Sequence, residues 1–464
     1  MGNLVFEAKC QFKAPAADVF AWHEAPGAFA RLSPPWVDVR LVEHSGGIQD
    51  GARVVLQINQ GPVGIPWVLG HKDYVKDEQF CDYQIAGPFQ YWQHVHRIVP
   101  LAADDAAREQ GFQCLLHDRI EFSPPLGLAG KIGGALYVKG ELKRLFRYRH
   151  ALLARDLELK ARYGQKKLRV LISGSTGMIG THLKALLRTQ GHEVYSLVRR
   201  RSSKPDEIFW DPSSEECEAL PGGLDAIVHL CGRNVAARRW NVEEKQLIFE
   251  SRVRSTNFLA RLVADMKEPP AAVIFASAVG YYGDRGSEPL TEDSSAGAGF
   301  LADVCKSWEE SAAPAEKAGC RIAFARIGAV LSPKDGALGK LLPVFQAGGG
   351  GPVGDGKQYF PWVSIEDVSA GIYHAIVSKT LSGPFNLVSP QAATNGEFAR
   401  TLARVLRRPC LMPVKPAILK AVYGEMAEAL ILPSQRVLPQ KLQQDGYEFL
   451  DAEMGKAIKL QLGY

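Results

Sequence analysis

The sequence predicts an α/β protein whose larger part is a doubly wound parallel sheet, preceded by a smaller α+β domain. From residue 168 onward, continuous apolar runs alternate with helical stretches, as the buried strands of a parallel sheet do. A glycine-rich segment at 174–180 follows the first of these runs. Residues 1–160 instead contain short alternating runs separated by Gly, Pro and Asp, a pattern typical of antiparallel hairpins.

The composition, with 46% hydrophobic and 23% charged residues among 464, is that of a globular protein of two or three domains. The net charge of +5 suits an anionic cofactor, but it is too small to predict nucleic-acid binding. The eight cysteines form no C-x-x-C pair, which predicts reduced thiols and neither a zinc site nor a disulfide framework. Because the chain has no signal-peptide core and no run of about 18 apolar residues, we expect a cytoplasmic protein without a membrane span.

The N-terminal region predicts an antiparallel sheet covered by one long helix. A helical segment at 15–32 is interrupted at Pro26 and Gly27, and an amphipathic stretch occupies 132–162. The predicted strands are 5–13, 37–43, 52–59, 68–75, 80–85, 91–100 and 112–122. We expect the long helix to cover the apolar face of the sheet.

This region resembles the START-like and polyketide-cyclase-like (helix-grip) domains over residues 3–158. The resemblance rests on the opening strand, the helix start at 14–22 and the final long helix. It implies a hydrophobic ligand between sheet and helix. His94 and His96 share one face of a strand, but no third ligand of matching spacing appears, so we expect them to pack in the core or at its rim and predict no metal site.

A polar connection at 161–167 predicts the boundary to a Rossmann-type domain. Its predicted strands are 168–173, 193–198, 226–230, 272–276 and 321–327, and its first helix is 180–190. The predicted organisation is a helix-grip domain at 1–160, a nucleotide-binding domain at 168–405 and a C-terminal module at 409–464.

The loop from Gly174 to Gly180 lies between the first strand and its helix, where dinucleotide-binding proteins place the cofactor phosphates. Gly174 would allow the tight turn, Gly177 the approach of the pyrophosphate, and Gly180 the packing of helix on strand. The helix start presents N–H groups and a positive dipole end to phosphate. The predicted loop contacts are Gly174, Thr176, Gly177, Met178, Ile179 and Gly180.

The end of the second strand carries Arg199, Arg200 and Arg201, where an NAD site would carry an acidic residue. Guanidinium groups bind a 2′-phosphate, so the predicted cofactor is NADP(H), with Arg199 and Arg200 as contacts. The alternative is a solvated basic turn.

Beyond the glycine loop, the chain resembles the extended short-chain dehydrogenases/reductases named NAD(P)-dependent epimerase family proteins, over residues 168–464. The turn of Leu230, Cys231 and Gly232 resembles the one that lies beside the adenosine ribose in that family, and Arg252 would lie near the cofactor. The motifs that carry the resemblance are Trp210-Asp211-Pro212, Tyr281-Tyr282-Gly283, Thr291-Glu292-Asp293 and the segments 360–367, 389–395 and 424–427.

The expected proton-transfer pair, Tyr-x-x-x-Lys, is absent from this chain. In those dehydrogenases the Lys lowers the Tyr pKa, so that the phenol exchanges a proton with the substrate. Three candidate replacements are Ser277, Tyr281 and Tyr282, with Lys306 as an assisting cation. The alternative is that both tyrosines pack at the strand end and Lys306 is solvated.

Substrate contacts are expected from the C-terminal half of this domain. Arg326 ends a buried strand, where a charge requires either an anion or a structural ion pair. Gln358 and Trp362 follow a glycine-rich loop that could close over a ligand or form a plain surface turn.

Two functions fit these residues. The first is an NADP-dependent oxidoreductase or epimerase-like enzyme that acts on a small-molecule substrate. It is fused to an apolar-ligand-binding domain, which favours a hydrophobic substrate. The second is a non-catalytic NADP(H)-binding redox sensor or regulatory protein. The sequence leaves the substrate and the oligomeric state open.

Overall fold

The computed structural model describes residues 3–61, 63–124, 134–164 and 166–464. The chain divides into two compact units. One comprises Met1–Lys166, Ala185–Gly191 and Leu462–Tyr464, and the other Lys167–Lys184 and His192–Gln461. In the described part of the chain, none of the helices combines the length and the apolar character that crossing a membrane requires.

The N-terminal region is a seven-stranded antiparallel sheet with the strand order β1-β7-β6-β5-β4-β3-β2, as the alternating runs predicted. Its strands are β1 (Leu4–Phe12), β2 (Asp38–Ser45), β3 (Arg53–Gln60), β4 (Val63–Val75), β5 (Gln79–Ala86), β6 (Tyr91–Pro100) and β7 (Cys114–Ser123). Its helices are α1 (Ala16–Glu24), α2 (Ala28–Leu32), α3 (Ala106–Glu109) and α4 (Ala135–Tyr163). The predicted start of the long helix, at 132, lies outside the described residues.

Helix α4 contributes to two separate apolar clusters of the sheet. Leu153 of α4 packs in a cluster with Ile98 of β6. Phe146 of α4 packs in a second cluster with Trp92, on the same face of β6. Side chains two residues apart on a strand point to the same face. His94 and His96 therefore lie between the two clusters on this face of β6.

The region from Arg169 onward contains an eight-stranded sheet with the order β11-β10-β9-β8-β12-β13-β15-β19. All neighbours in it are parallel except β10 and β11. Its strands are β8 (Arg169–Ser173), β9 (Glu193–Val198), β10 (Glu207–Asp211), β11 (Glu216–Cys217), β12 (Ala226–His229), β13 (Ala272–Ala278), β15 (Arg321–Ile327) and β19 (Gly383–Leu387). This arrangement confirms the predicted doubly wound sheet.

Helices and three small sheets accompany this sheet. The helices are α5 (Met178–Thr189), α6 (Val242–Ala264), α7 (Phe300–Glu310), α8 (Ala313–Glu316), α9 (Gly336–Gln346), α10 (Ile365–Val377), α11 (Asn395–Leu406), α12 (Pro416–Tyr423), α13 (Glu425–Leu430), α14 (Gln440–Gln444) and α15 (Met454–Leu462). The short strands β14 (Pro289–Leu290) with β21 (Arg436–Val437), β16 (Ala329–Leu331) with β18 (Trp362–Ser364), and β17 (Tyr359–Phe360) with β20 (Ala393–Thr394) form the small sheets. The strand order reverses direction between β8 and β12, and ligands of doubly wound sheets bind at the carboxyl ends of the strands at that point.

The C-terminal residues are joined to the parallel sheet through Asp367 on α10. Its carboxylate accepts hydrogen bonds from Tyr447 Oη at 2.8 Å, the Leu450 amide at 2.8 Å and the Asp451 amide at 2.9 Å. Burial, followed by the charge of Asp451, raises the pKa of Asp367 to about 6. Residues 409–461 therefore share one compact unit with the parallel sheet.

Candidate functional site

The glycine loop forms the turn between β8 and α5. Gly174 has a φ of +71°, and a Cβ there would lie 2.9 Å from the Leu230 carbonyl oxygen. A Cβ on Gly180 would collide with the carbonyl oxygen of Gly174. Both positions therefore require glycine, one for its backbone conformation and the other for the close approach of helix to loop.

The rest of the loop is open to solvent. Thr176 and Gly177 are exposed, and Met178 and Ile179 are partly exposed. Gly177 donates its amide to Gly174 O at 3.1 Å, which closes the turn just before α5 begins. The first turn of a helix has N–H groups without helical acceptors, so this surface can bind an anion.

The three arginines after β9 differ in their partners. Arg201 forms ion pairs with Glu216 at 2.6 Å and Glu218 at 3.1 Å. Arg200 lies 4.0 Å from a Glu207 oxygen. Arg199 is exposed and forms no ion pair with any residue that the structure describes.

Arg199 is also the arginine whose charge reaches the end of β12. Burial raises the pKa of the Cys231 thiol, and the Ser173 hydroxyl and the charge of Arg199 oppose that rise. With its pKa raised, Cys231 stays a neutral thiol.

Arg252 on α6 is a largely buried cation beside Gly232. Its guanidinium donates to the carbonyl oxygens of Ile248 and Arg233, both at 3.0 Å, and its central carbon lies 5.0 Å from the Trp308 ring centre. A Cβ on Gly232 would lie 3.2 Å from that carbon. Burial lowers the Arg252 pKa to about 10, and no carboxylate among the described residues pairs with it. A partly buried charge without a counter-ion is unfavourable, which makes this site suitable for an anionic or hydroxyl-rich ligand.

His229, at the end of β12, is a residue that sequence reasoning missed. Its Nδ1 lies 2.6 Å from Ser173 Oγ on β8, and its Nε2 lies 3.1 Å from Ser255 Oγ on α6. Burial lowers the His229 pKa to about 3, so the ring is neutral. It links β12 to β8, the two strands between which the strand order reverses. The signal was a single polar residue inside an otherwise apolar strand.

Ser277 and Arg326 meet at one carboxylate, Glu309 of α7. Ser277 Oγ donates to Glu309 Oε1 at 2.7 Å. Arg326 donates from Nε and Nη2 to the two Glu309 oxygens, each at 2.8 Å. This geometry is the structural ion pair that was one of the two interpretations of Arg326, and Glu309 was missed because the pairing requires the fold.

The two tyrosines after β13 have different surroundings. Tyr282 is fully buried; its hydroxyl donates to Asn386 Oδ1 at 2.7 Å and accepts from Arg326 Nη1 at 3.0 Å. Burial raises its pKa to about 12. Tyr281 is partly exposed and its ring centre lies 3.5 Å from the Arg326 guanidinium carbon. Packing at the strand end therefore describes Tyr282, whereas Tyr281 remains accessible.

Helix α7 presents Leu301 and Cys305 to the end of β13. A Cβ on Gly280 would lie 3.3 Å from Leu301 Cβ and 3.7 Å from Cys305 Sγ. These residues are four apart, the spacing of a Tyr-x-x-x-Lys pair, but they cannot replace it. Leu301 has no ionisable group, and burial raises the Cys305 pKa to about 12. Lys306 is exposed, as its solvated alternative predicted.

The sequence from the glycine loop to β19 matches the model of the NAD dependent epimerase/dehydratase family over residues 170–388. An epimerase family protein of Mycobacterium bovis is 40% identical over 291 residues, which cover 62% of this chain and 96% of that protein. The chain belongs to this epimerase family. A model named domain of unknown function (DUF1731) matches residues 416–460.

Two solved structures extend the comparison of this epimerase-family chain. A nucleoside-diphosphate sugar epimerase from Corynebacterium glutamicum is 34% identical with a TM-score of 0.78, covering 99% of this chain and 90% of that one. The human epimerase family protein SDR39U1 (isoform 2), solved with NADPH, is 35% identical with a TM-score of 0.60, covering 63% of this chain and 98% of that one. The first comparison includes the N-terminal sheet.

The remaining substrate candidates of this epimerase-family chain are held by nearby backbone. Gln358 Nε2 donates to Val353 O at 3.1 Å. Trp362 is 1% exposed, and its Nε1 donates to Gln391 O at 3.2 Å. These hydrogen bonds do not reach Arg326, and the ring of Trp362 is buried.

Proposed function

We propose that this epimerase-family protein is an NADP(H)-dependent oxidoreductase or epimerase-like enzyme. The observation that carries the proposal is Arg199, an exposed cation without an ion-pair partner among the described residues, at the place where an NAD site has an acidic residue. A guanidinium there favours a 2′-phosphate through charge-assisted hydrogen bonds. The human relative solved with NADPH supports the same choice.

The chemistry of the surrounding residues suits a dinucleotide. The backbone from Thr176 to Gly180 would hold the pyrophosphate, and Arg199 with Arg200 the 2′-phosphate. The segment from Leu230 to Gly232 would lie beside the adenosine ribose. Arg252 supplies a partly buried positive charge that has no carboxylate partner in the described chain. When bound, the nicotinamide would supply hydride transfer.

Proton transfer in this proposal falls to Tyr281. Its ring lies against the Arg326 guanidinium and is partly exposed, whereas the Tyr282 hydroxyl is already bonded to Asn386 and Arg326. Ser277 donates to Glu309, so its hydroxyl proton is engaged. Tyr281 is therefore the phenol with the best access to a substrate carbonyl or hydroxyl, and the proposal assigns it the role of general acid.

The test is a survey of the full-length protein with NADPH and with NADH. The candidate substrates are aldehydes, ketones, quinones and nucleoside-diphosphate sugars, the last because of the name of the Corynebacterium glutamicum relative. We expect tighter binding of NADPH and turnover or epimerisation of at least one class. Failure to bind either nucleotide would reject the proposal as a whole.

A second candidate function is a non-catalytic NADP(H)-binding redox sensor. It is favoured by Leu301 and Cys305, which fill the positions against Gly280 with groups that cannot exchange a proton at neutral pH. Tight NADPH binding without turnover of any class in the survey would select this function over the enzyme.

For the N-terminal domain the proposal is binding of a hydrophobic small molecule, as its resemblance to START-like domains implies. The apolar clusters around Leu153 and Phe146 support it. The test is binding of fatty acids, prenyl chains and aromatic dyes to the full-length protein. No binding of any of them would remove the ligand-carrying role and leave the NADP(H) proposal unaffected.

A further inference from the structure

A band of histidine and aspartate side chains crosses the N-terminal domain, and we call it the polar belt. Its members are His71 on β4, Asp82 on β5, His94 and His96 on β6, Asp118 on β7 and His150 on α4. On β6, the two histidines lie between Trp92 of one apolar cluster and Ile98 of the other. The belt therefore separates the two clusters.

The strand register places the belt residues side by side. His71 is paired with Asp82, and Asp82 with His94. On the other side of β6, His96 is paired with Asp118. Directly paired residues project to the same face of a sheet, so the belt is one continuous row rather than scattered polar positions.

His94 lies between two carboxylates. Its Nε2 is 3.1 Å from Asp118 Oδ1 and its Nδ1 is 3.4 Å from Asp82 Oδ2. A neutral imidazole has one N–H, so one of these contacts would set a lone pair against a carboxylate oxygen. A positive species, either a second proton or a metal ion, resolves that conflict.

Three buried atoms of the belt have no hydrogen-bond partner among the described residues, namely His71 Nδ1, His96 Nδ1 and Asp82 Oδ2. The His96 atom is 2.8 Å from Asp118 Oδ1, but the angles are outside hydrogen-bond geometry. Buried nitrogen and oxygen atoms are nearly always partnered in folded proteins. Imidazole nitrogens and carboxylate oxygens are ordinary ligands of transition-metal ions.

The charge of the belt also calls for a cation. In the described chain, Asp82 and Asp118 form ion pairs only with histidines and none with Lys or Arg. Arg149 adds positive charge to this region, but its Nε donates to the Leu32 carbonyl at 3.1 Å. With Arg149 counted, the two carboxylates retain one negative charge, which a metal ion would balance while the imidazoles stay neutral.

We propose that Asp82, His94 and His96 bind a divalent transition-metal ion of the Zn²⁺ type inside the N-terminal domain. One ligand atom of each residue lies within 4.8 Å of the others. Ligands of tetrahedral Zn²⁺ are about 3.4 Å apart, since each lies about 2.1 Å from the ion, so small side-chain rotations close the site. Two histidines and one carboxylate leave a coordination position for water or a ligand.

Asp118 has a positioning role in this site. It accepts from His94 Nε2 at 3.1 Å and lies 2.9 Å from His150 Nε2. A histidine that binds a metal usually donates its other N–H to a carboxylate, which orients the ring and fixes its tautomer. The Asp118 contact therefore leaves His94 Nδ1 directed towards Asp82 and the ion.

The third ligand was hidden from sequence reasoning because it comes from a neighbouring strand. Asp82 lies on β5 and His94 on the next strand, β6, and only the register of this antiparallel pair brings the two together. The two histidines were expected only to pack because a third ligand was sought by spacing along the sequence. The proposal does not depend on the function of the NADP(H) site.

The experiment titrates chelator-treated full-length protein with Co²⁺, whose visible absorption reports coordination, and then displaces it with Zn²⁺. We expect one ion per chain for the wild type and for His44→Gln, a control at an exposed histidine of the same sheet. His96→Gln and Asp82→Asn should weaken binding by at least about tenfold.

Circular dichroism shows which variants fold, and Asp82→Asn, which keeps size and shape, serves if His96→Gln does not. Zn²⁺ should also raise the melting temperature of the wild type and not that of Asp82→Asn. No binding by the wild type, or equal affinity in Asp82→Asn, would overturn the site.

Discussion

Arg326 and Glu309 form a bidentate ion pair in which Nε and Nη2 each lie 2.8 Å from a carboxylate oxygen. The same carboxylate accepts from Ser277 Oγ at 2.7 Å. Because Ser277 lies on β13, Arg326 on β15 and Glu309 on α7, one carboxylate joins three elements at the candidate site. Its first role is therefore to hold the backbone to which Tyr281 is attached.

Removing this carboxylate should destabilise the domain. Glu309→Ala leaves the Arg326 side chain, which is 3% exposed, without its counter-ion. Breaking a buried pair on one side costs about 3–5 kcal/mol of unfolding free energy. Urea unfolding of this variant, beside Glu310→Ala at the exposed neighbouring position, measures the cost. A loss no larger than that of the control would contradict the bridging role.

Arg199→Ser should weaken NADPH binding by about 1–3 kcal/mol, because it removes a charge-assisted contact to the 2′-phosphate. NADH affinity should stay the same, since NADH lacks that phosphate. Titration calorimetry with both nucleotides measures the difference. The matched control is Arg201→Ser, because Arg201 is already paired with Glu216 and Glu218. Equal losses for both nucleotides, or a larger loss in the control, would refute the assignment.

The two tyrosine-to-phenylalanine variants should separate chemistry from stability. Tyr281→Phe removes the accessible phenol, so turnover of a confirmed substrate should fall at least about tenfold with unchanged NADPH affinity. Tyr282→Phe removes the hydroxyl between Asn386 and Arg326, and unfolding free energy should fall by about 1–3 kcal/mol. Full turnover in Tyr281→Phe would show that this phenol is not the acid.

The stability of the domain should fall on acidification because of His229. Burial lowers its pKa from 6.5 to about 3, so between these values the unfolded chain binds a proton that the folded chain does not. Its contribution is complete above about pH 6.5 and is lost towards pH 3, by up to about 1.4 kcal/mol per pH unit. Urea unfolding at about pH 7, 6 and 5 gives the slope of the unfolding free energy against pH. This slope should be shallower for His229→Asn than for the wild type or His44→Asn. Identical slopes for all three proteins would exclude His229 as the source.

Features encoded by neighbouring residues were predictable from the sequence, and those made by strand register were not. Gly174 and Gly180 follow from spacing within one turn, and the structure shows a steric reason for both. Glu309 could not be assigned, because its partners lie on two other elements. The Asp82–His94 pairing is likewise a property of the sheet. Trp362 was assigned to a ligand from its neighbours in sequence, yet its ring is buried.

The hydrogen bonds to Asp367 have a consequence for the order in which the protein is made. Asp367 and Asp451 are 84 positions apart in the sequence. At about 5–20 residues per second, a ribosome needs roughly 4–17 s to add the donors after the acceptor. Throughout that interval the Asp367 carboxylate has a native donor in Ser364 Oγ, 3.0 Å away, but lacks the three donors from Tyr447, Leu450 and Asp451. The residues matched by DUF1731 thus supply hydrogen bonds that the parallel-sheet unit can form only near the end of its synthesis.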